Sequence, residues 1–192
     1  MRIVSGKHRG RRIEAPSGKN TRPTTDQVRE SLFNVLRHSC WGADGGDPVD
    51  GAHVLDIFCG TGALGLEALS RGAADVVFVD TAPPALKAVR ANTEKMREIE
   101  TSTILRADAA RPGKLPGKCA LRDLVFMDPP YGKKLGEAAL AALIRRNWLA
   151  DDALIVFEES TAAPVALPEG IELIEDRPFG ETTIRFCRYT GA

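Results

Sequence analysis

One unit of the chain, strand, glycine loop, helix, strand, restricts its fold more than any other feature. The run His53-Val54-Leu55-Asp56-Ile57-Phe58 passes into Cys59-Gly60-Thr61-Gly62-Ala63-Leu64-Gly65, and Val76-Val77-Phe78-Val79 follows, ending in Asp80. Strands this apolar belong in a parallel sheet covered on both faces. The alternation then continues. It predicts strands over 53–58, 75–80, 101–106, 123–128 and 153–158, with helices over 63–70, 83–97 and 136–147 and a loop over 109–120. Two last strands, near 171–175 and 183–189, are separated only by a turn-like stretch around Pro178-Phe179-Gly180. The expected fold is α/β: a mostly parallel seven-stranded sheet with helices on both faces and an antiparallel C-terminal edge.

The Gly60-x-Gly62-x-x-Gly65 loop permits positive φ and close approach of a ligand to the backbone, and the helix behind it offers free N–H groups. The pattern alone fits either a dinucleotide or S-adenosylmethionine, and Asp80 suits the ribose hydroxyls of both. Asp56, four residues before the first glycine, separates them. Its charge repels a pyrophosphate and attracts a sulfonium and an ammonium. The methyl donor is therefore preferred, and a nicotinamide dehydrogenase is a remote alternative.

A second edge motif supports this preference. Leu124-Val125-Phe126-Met127 is closed by Asp128-Pro129-Pro130-Tyr131. Consecutive prolines stop the ladder and fix φ near −65°. A carboxylate, a proline carbonyl and an aromatic ring are thus held at the carboxyl edge of a sheet, where open α/β proteins bind ligands. Two acceptors beside a flat ring suit an exocyclic amine. An ionised carboxylate matches the adjacent N1–H and N2–H donors of guanine better than the donor–acceptor edge of adenine. Cys59, inside the glycine loop, has no evident base to activate it and is expected to fill buried space.

Charge is balanced overall, 26 cations against 26 anions, but not along the chain. Up to residue 22 there are seven cations (Arg2, Lys7, Arg9, Arg11, Arg12, Lys19, Arg22) against Glu14, leaving the remainder at −6. A basic arm on an acidic body points to nucleic acid. Residues 2–5 and 10–13 are expected to form a short hairpin, and Thr24 with Gln27 a capping box for a helix from Thr25 to Arg37. The division expected is a basic RNA-binding extension over 1–45, packed on a catalytic domain over 46–192. Four scattered cysteines and three histidines suggest neither a metal site nor a disulfide framework. With no leader-like start and no apolar run of about 18 residues, a cytoplasmic monomer with no membrane association is expected.

The chain resembles the bacterial small-subunit ribosomal RNA guanine-N2 methyltransferases, of the Rossmann-like class I S-adenosylmethionine-dependent fold. The resemblance covers nearly the whole length. It is carried by Arg2-Ile3-Val4-Ser5-Gly6-Lys7, Arg9-Gly10-Arg11, Arg22-Pro23-Thr24-Thr25-Asp26, Arg29-Glu30, the stretch from Asp56 to Gly72, and Asp128 to Tyr131. It departs at Asp80, where glutamate is commoner, and at His8, where an aromatic residue is usual. The resemblance implies S-adenosylmethionine held by Asp56, Phe58, Gly60, Thr61, Gly62 and Gly65, with Asp80 at the ribose and Asp108 at the adenine amino group. It implies catalysis by Asp128, Pro129, Pro130 and Tyr131, no metal, and 16S ribosomal RNA, free or in a small subunit or assembly intermediate, as partner. Arg2, Lys7, Arg9, Arg11, Arg12 and Arg22 would bind that RNA. Asp-Pro-Pro-Tyr also occurs in adenine-N6 methyltransferases of DNA or RNA, so that reading stays open, as does a binding module without turnover.

Overall fold

The computed structural model describes residues 1–15, 26–42 and 45–191. Its sheet has seven strands: β1 (His53–Ile57), β2 (Asp75–Asp80), β3 (Ser102–Arg106), β4 (Arg122–Met127), β5 (Leu149–Ser160), β6 (Ile171–Phe179) and β7 (Thr182–Tyr189). They lie in the order β3-β2-β1-β4-β5-β7-β6. β1 to β5 are mutually parallel, and β7 is antiparallel to both β5 and β6. The chain builds outward from β1 to β3, then returns to place β4 on the other side of β1. That reversal opens a crevice above the carboxyl ends of β1 and β4.

Among the described residues, four helices cover the sheet: α1 (Asp26–His38), α2 (Ala63–Ser70), α3 (Pro83–Met96) and α4 (Leu135–Arg145). Phe33, Leu36, Leu66, Leu69, Val89 and Met96 pack with Val54, Val76, Phe78 and Phe126 on one face. On the other, Leu140, Leu143 and Trp148 pack with Leu55, Val77, Val125 and Phe157. Strand residues of opposite parity thus serve opposite layers, as the period of two requires. A Cβ on Gly65 would stand 2.5 Å from the Phe78 ring. The third glycine of the loop therefore lets α2 lie close on β2.

The predicted elements are present, with shifted ends. β5 starts at Leu149 rather than 153, because the polar pair Asp151-Asp152 sits where the register with β4 slips and interrupts the apolar run. β6 runs through Pro178 to Phe179, so the turn falls at Gly180-Glu181 and not around Pro178. Proline is tolerated there because β6 is the edge of the sheet. The expected N-terminal hairpin is a single antiparallel bridge, Arg2 with Arg12, closed around a 3₁₀ turn at Gly6–His8. Thr24 of the proposed capping box lies outside the described residues. Ile3 and Ile13 are buried in the same core as Leu32 and Leu66, so the arm is packed on the body.

Candidate active site

Strand register sets the site. Ile57 is paired with Val79 of β2 and Met127 of β4, and Met127 with Phe157 of β5. The next residues, Asp80, Phe58, Asp128 and Glu158, therefore stand in one row across four neighbouring strands, about 4.8 Å from strand to strand. Three of the four are acids.

On the β1–β2 side the loop turns through left-handed conformations at Phe58 (φ 64°), Gly60 (φ 51°) and Gly62 (φ 74°). Gly60 N–H donates to Asp80 Oδ2 at 2.9 Å, and Ala82 N–H to Asp80 Oδ1 at 2.8 Å. Gly65 N–H donates to Asp56 Oδ2 at 2.9 Å. A side chain added at Gly60 would meet nothing nearer than 4.0 Å, whereas one at Gly62 would press on Phe78 and Val89. Gly60 is therefore the glycine that leaves its surroundings clear for a ligand. Thr61 is buried beneath, its carbonyl accepting from Asn92. Burial, reinforced by Asp128 and Asp80, pushes the Asp56 carboxyl up to about 8. Burial likewise raises the Cys59 thiol well above its usual value, which opposes any nucleophilic role.

On the β4–β5 side, Tyr131 donates its hydroxyl to Glu158 Oε1 at 2.6 Å. Glu159, buried, accepts from Gly132 N–H at 3.1 Å and from Ser160 N–H at 2.7 Å. Two successive acids of β5 thus fasten the loop that carries Asp128, Pro129, Pro130 and Tyr131. Burial, with Asp128 and Glu158 nearby, lifts the Tyr131 phenol above its ordinary range, so it stays protonated as a donor. Sequence reasoning missed Glu158 and Glu159. A partial signal was present: like Asp80 and Asp128, they follow an apolar run, Leu154-Ile155-Val156-Phe157, although β5 continues to Ser160.

The remaining predicted residues are more dispersed. Asp108 lies two residues beyond β3, where it caps its own loop through Ala110 N–H (3.0 Å) and two bonds from Arg111 (3.1 and 2.9 Å). The Arg111 guanidinium holds its carboxyl below the usual value. In the arm, Lys7 is paired with Glu98 at 2.7 Å, and Arg11 donates to the Lys95 carbonyl at 3.0 Å. The side chains of Arg2, Arg9 and Arg12 belong to exposed residues, and Arg22 lies outside the described residues. His8, at the departure from the resemblance, is buried with Nε2 at 2.5 Å from Glu98, away from the carboxyl edge. Glu67, fully buried in α2, fastens the arm by accepting from Val4 N–H (2.8 Å) and Ser5 N–H (2.9 Å), with Arg71 at 2.8 Å and the buried Arg29 at 3.6 Å.

Among the described residues, no cluster of His, Cys, Asp and Glu is placed to hold a metal, and no helix is long and apolar enough to cross a membrane. The residues do fit S-adenosylmethionine. A clear space beside Gly60 adjoins a cluster of carboxylates whose mutual repulsion a cationic ligand would relieve.

The strand order, the antiparallel β7 and the loop at the reversal point together define a class I methyltransferase fold. The chain belongs to the family described as conserved hypothetical protein 95, whose model matches residues 1–188. Ribosomal RNA small subunit methyltransferase D of Escherichia coli (strain K12) is 34% identical over 192 residues, covering 96% of this chain and 88% of that protein. The protein of the same name from Haemophilus influenzae is 31% identical over 186 residues, covering 96% and 92%. A solved structure described as "Putative methyltransferase yhhF from Escherichia coli" superposes with a TM-score of 0.81 at 31% identity, over 100% of this chain and 99% of that one.

Proposed function

We propose that this protein transfers a methyl group from S-adenosylmethionine to the exocyclic N2 of a guanine in small-subunit (16S) ribosomal RNA. The observation that carries the reading is the register that sets Asp128 beside Phe58, at the mouth of the glycine loop. Donor and acceptor positions then meet at one point of the sheet edge. The names of the E. coli and H. influenzae relatives support the ribosomal substrate.

S-adenosylmethionine supplies an activated methyl on a cationic sulfur, so the chain's task is binding and orientation. Asp56 and the backbone from Phe58 to Gly65 would hold the methionine portion, with Asp80 at the ribose and Asp108 at the adenine. Asp128 and the Pro129 carbonyl would accept from the N2–H groups and aim the nitrogen lone pair, and Asp128 would take the proton lost on methylation. Holding reactants in this way can contribute several kcal/mol of the barrier. Tyr131 would stack on the base, worth about 1–3 kcal/mol, in the position fixed by Glu158. The base must leave its stack to enter, which favours loops over duplex. Residues 1–45 would form the RNA-binding extension.

Labelled methyl transfer to unmodified small subunits, free small-subunit RNA and duplex DNA, followed by nucleoside digestion, tests the reading. N2-methylguanosine from the ribosomal substrates alone is expected. N6-methyladenine would overturn the base assignment, and absence of transfer to any acceptor would overturn the activity.

A further inference from the structure

The arm does not end at its own cations. It is fastened along α3 by reciprocal bonds, Glu14 N–H to Asn92 Oδ1 (2.8 Å) and Asn92 Nδ2–H to the Glu14 carbonyl (3.0 Å). Arg11 reaches the Lys95 carbonyl, Lys95 pairs with Glu14 at 3.1 Å, and His8 and Lys7 engage Glu98 just past the helix. These contacts join the arm's exposed Arg9 and Arg12 to an exposed stripe of α3 that carries Lys87, Arg90 and, beyond its end, Arg97. Among the described residues none of Lys87, Arg90 and Arg97 is paired with an acid, and Glu94 is the one carboxylate interrupting the stripe. From Lys87 to Arg97 the stripe spans about 15 Å. It begins beside the site, since α3 starts three residues after Asp80.

A helix face with these unneutralised cations, continuous with a basic arm and opening at an active-site rim, matches a polyanionic strand by charge. We infer that the exposed face of α3, through Lys87 and Arg90, is part of the RNA-binding surface and carries backbone phosphates of the substrate between the arm and the crevice. The inference rests on the RNA reading above for its partner, but on neither the target base nor the methyl donor. It also gives the arm a mechanical part: by docking on α3 it aligns two basic segments into one track, which neither forms alone.

The test is filter binding of small-subunit ribosomal RNA transcribed in vitro, over a range of salt, with the full-length protein. Wild type is compared with the double variant Lys87→Gln/Arg90→Gln and with Arg145→Gln/Arg146→Gln, which removes the same charge from exposed positions at the end of α4 on the opposite face. Each lost phosphate contact should lower the salt slope by about 0.7. The α3 variant is therefore expected to lose about 1.4 from the slope and bind several-fold more weakly near physiological salt, while the α4 variant follows wild type. Equal urea midpoints establish that the variants are folded. Equal slopes for all three proteins, or equal losses in both variants, would overturn the α3 surface alone. A wild type that does not bind this RNA would overturn the RNA reading itself, and the α3 surface with it.

Discussion

The two edges of the sheet carry similar residues and treat them in opposite ways. At the amino edge, Asp75 at the start of β2 is held by His53 Nδ1 of β1 and by Arg122 Nη1 of β4 at 2.5 Å. Asp123 accepts from His53 N–H at 2.7 Å, and Arg122, fully buried, donates back to the Ala120 carbonyl at 2.8 Å. At Asp75 acid faces base, whereas Asp123 is held by a backbone N–H and raised by burial, as Asp56 is. At the carboxyl edge of the same strands, among the described residues, Asp56 and Asp80 accept from backbone N–H groups and Glu158 from a phenol. Carboxyl groups gather there, and burial first, then Asp128 and Asp80, raise the Asp56 carboxyl. Opposite charges that satisfy one another hold strands together. Like charges gathered at one edge disfavour the free protein and prepare it for a cation.

The largest effect is expected at the carboxyl edge. Asp128→Asn keeps the size of the side chain but replaces an acceptor of guanine's paired donors with an amide. Turnover should fall about 100- to 1,000-fold, the usual loss when one group acting on the reacting atoms is removed. Affinity for S-adenosylmethionine, followed by calorimetry, should stay within about twofold. A parallel loss of donor binding and turnover would place Asp128 in the donor site instead.

Its counterpart at the amino edge should affect stability and leave chemistry alone. Arg122→Met preserves much of the buried stem but strips Asp75 Oδ1 and the Ala120 carbonyl of the Arg122 donors, leaving His53 on Asp75 Oδ2. Losing one partner of a buried pair costs about 3–5 kcal/mol, and the partial exposure of Asp75 puts this case near the lower figure. The urea midpoint should drop accordingly, while kcat/KM at a temperature where the variant is folded matches wild type. A folded variant with impaired turnover would show that the two edges are coupled.

How far these edges were legible in sequence follows from the range of the signals. β1 to β4 and α2 to α4 could be read because each is a short apolar run closed by glycine, proline or an acid next to it in the chain. Asp56, Asp80 and Asp128 were singled out as candidates for the same reason. Glu158 was not: it too follows an apolar run, but only the parallel register that brings β5 beside β4 sets it next to Asp128. Charge counting identified the arm as basic but not the partners of its cations. Lys7 and Arg11 are engaged by Glu98 and the Lys95 carbonyl, contacts more than 80 residues apart in the chain. His8 drew attention as a missing aromatic contact, and burial against Glu98 gives it a structural task instead.

A pH-dependent effect, and one that measures directly how the carboxyl edge treats a buried acid, concerns Asp56. Its carboxyl titrates near 8 in the folded chain and near the ordinary value of 3.8 when unfolded, with burial as the main cause. A folded pKa raised above the unfolded one favours the folded state fully below pH 3.8, and that advantage is lost as pH climbs through 8. Asp56→Asn accepts the same Gly65 bond without ever ionising. Relative to this variant, wild type should therefore lose urea resistance steadily between about pH 5 and 8 and level off above. Saturating S-adenosylmethionine should flatten that decline, because a cation beside Asp56 favours the ionised form. Urea midpoints in steps of one pH unit, with and without donor, decide the matter. A difference between the two proteins that does not change with pH would mean that Asp56 is ionised throughout and that the carboxyl edge is neutralised after all.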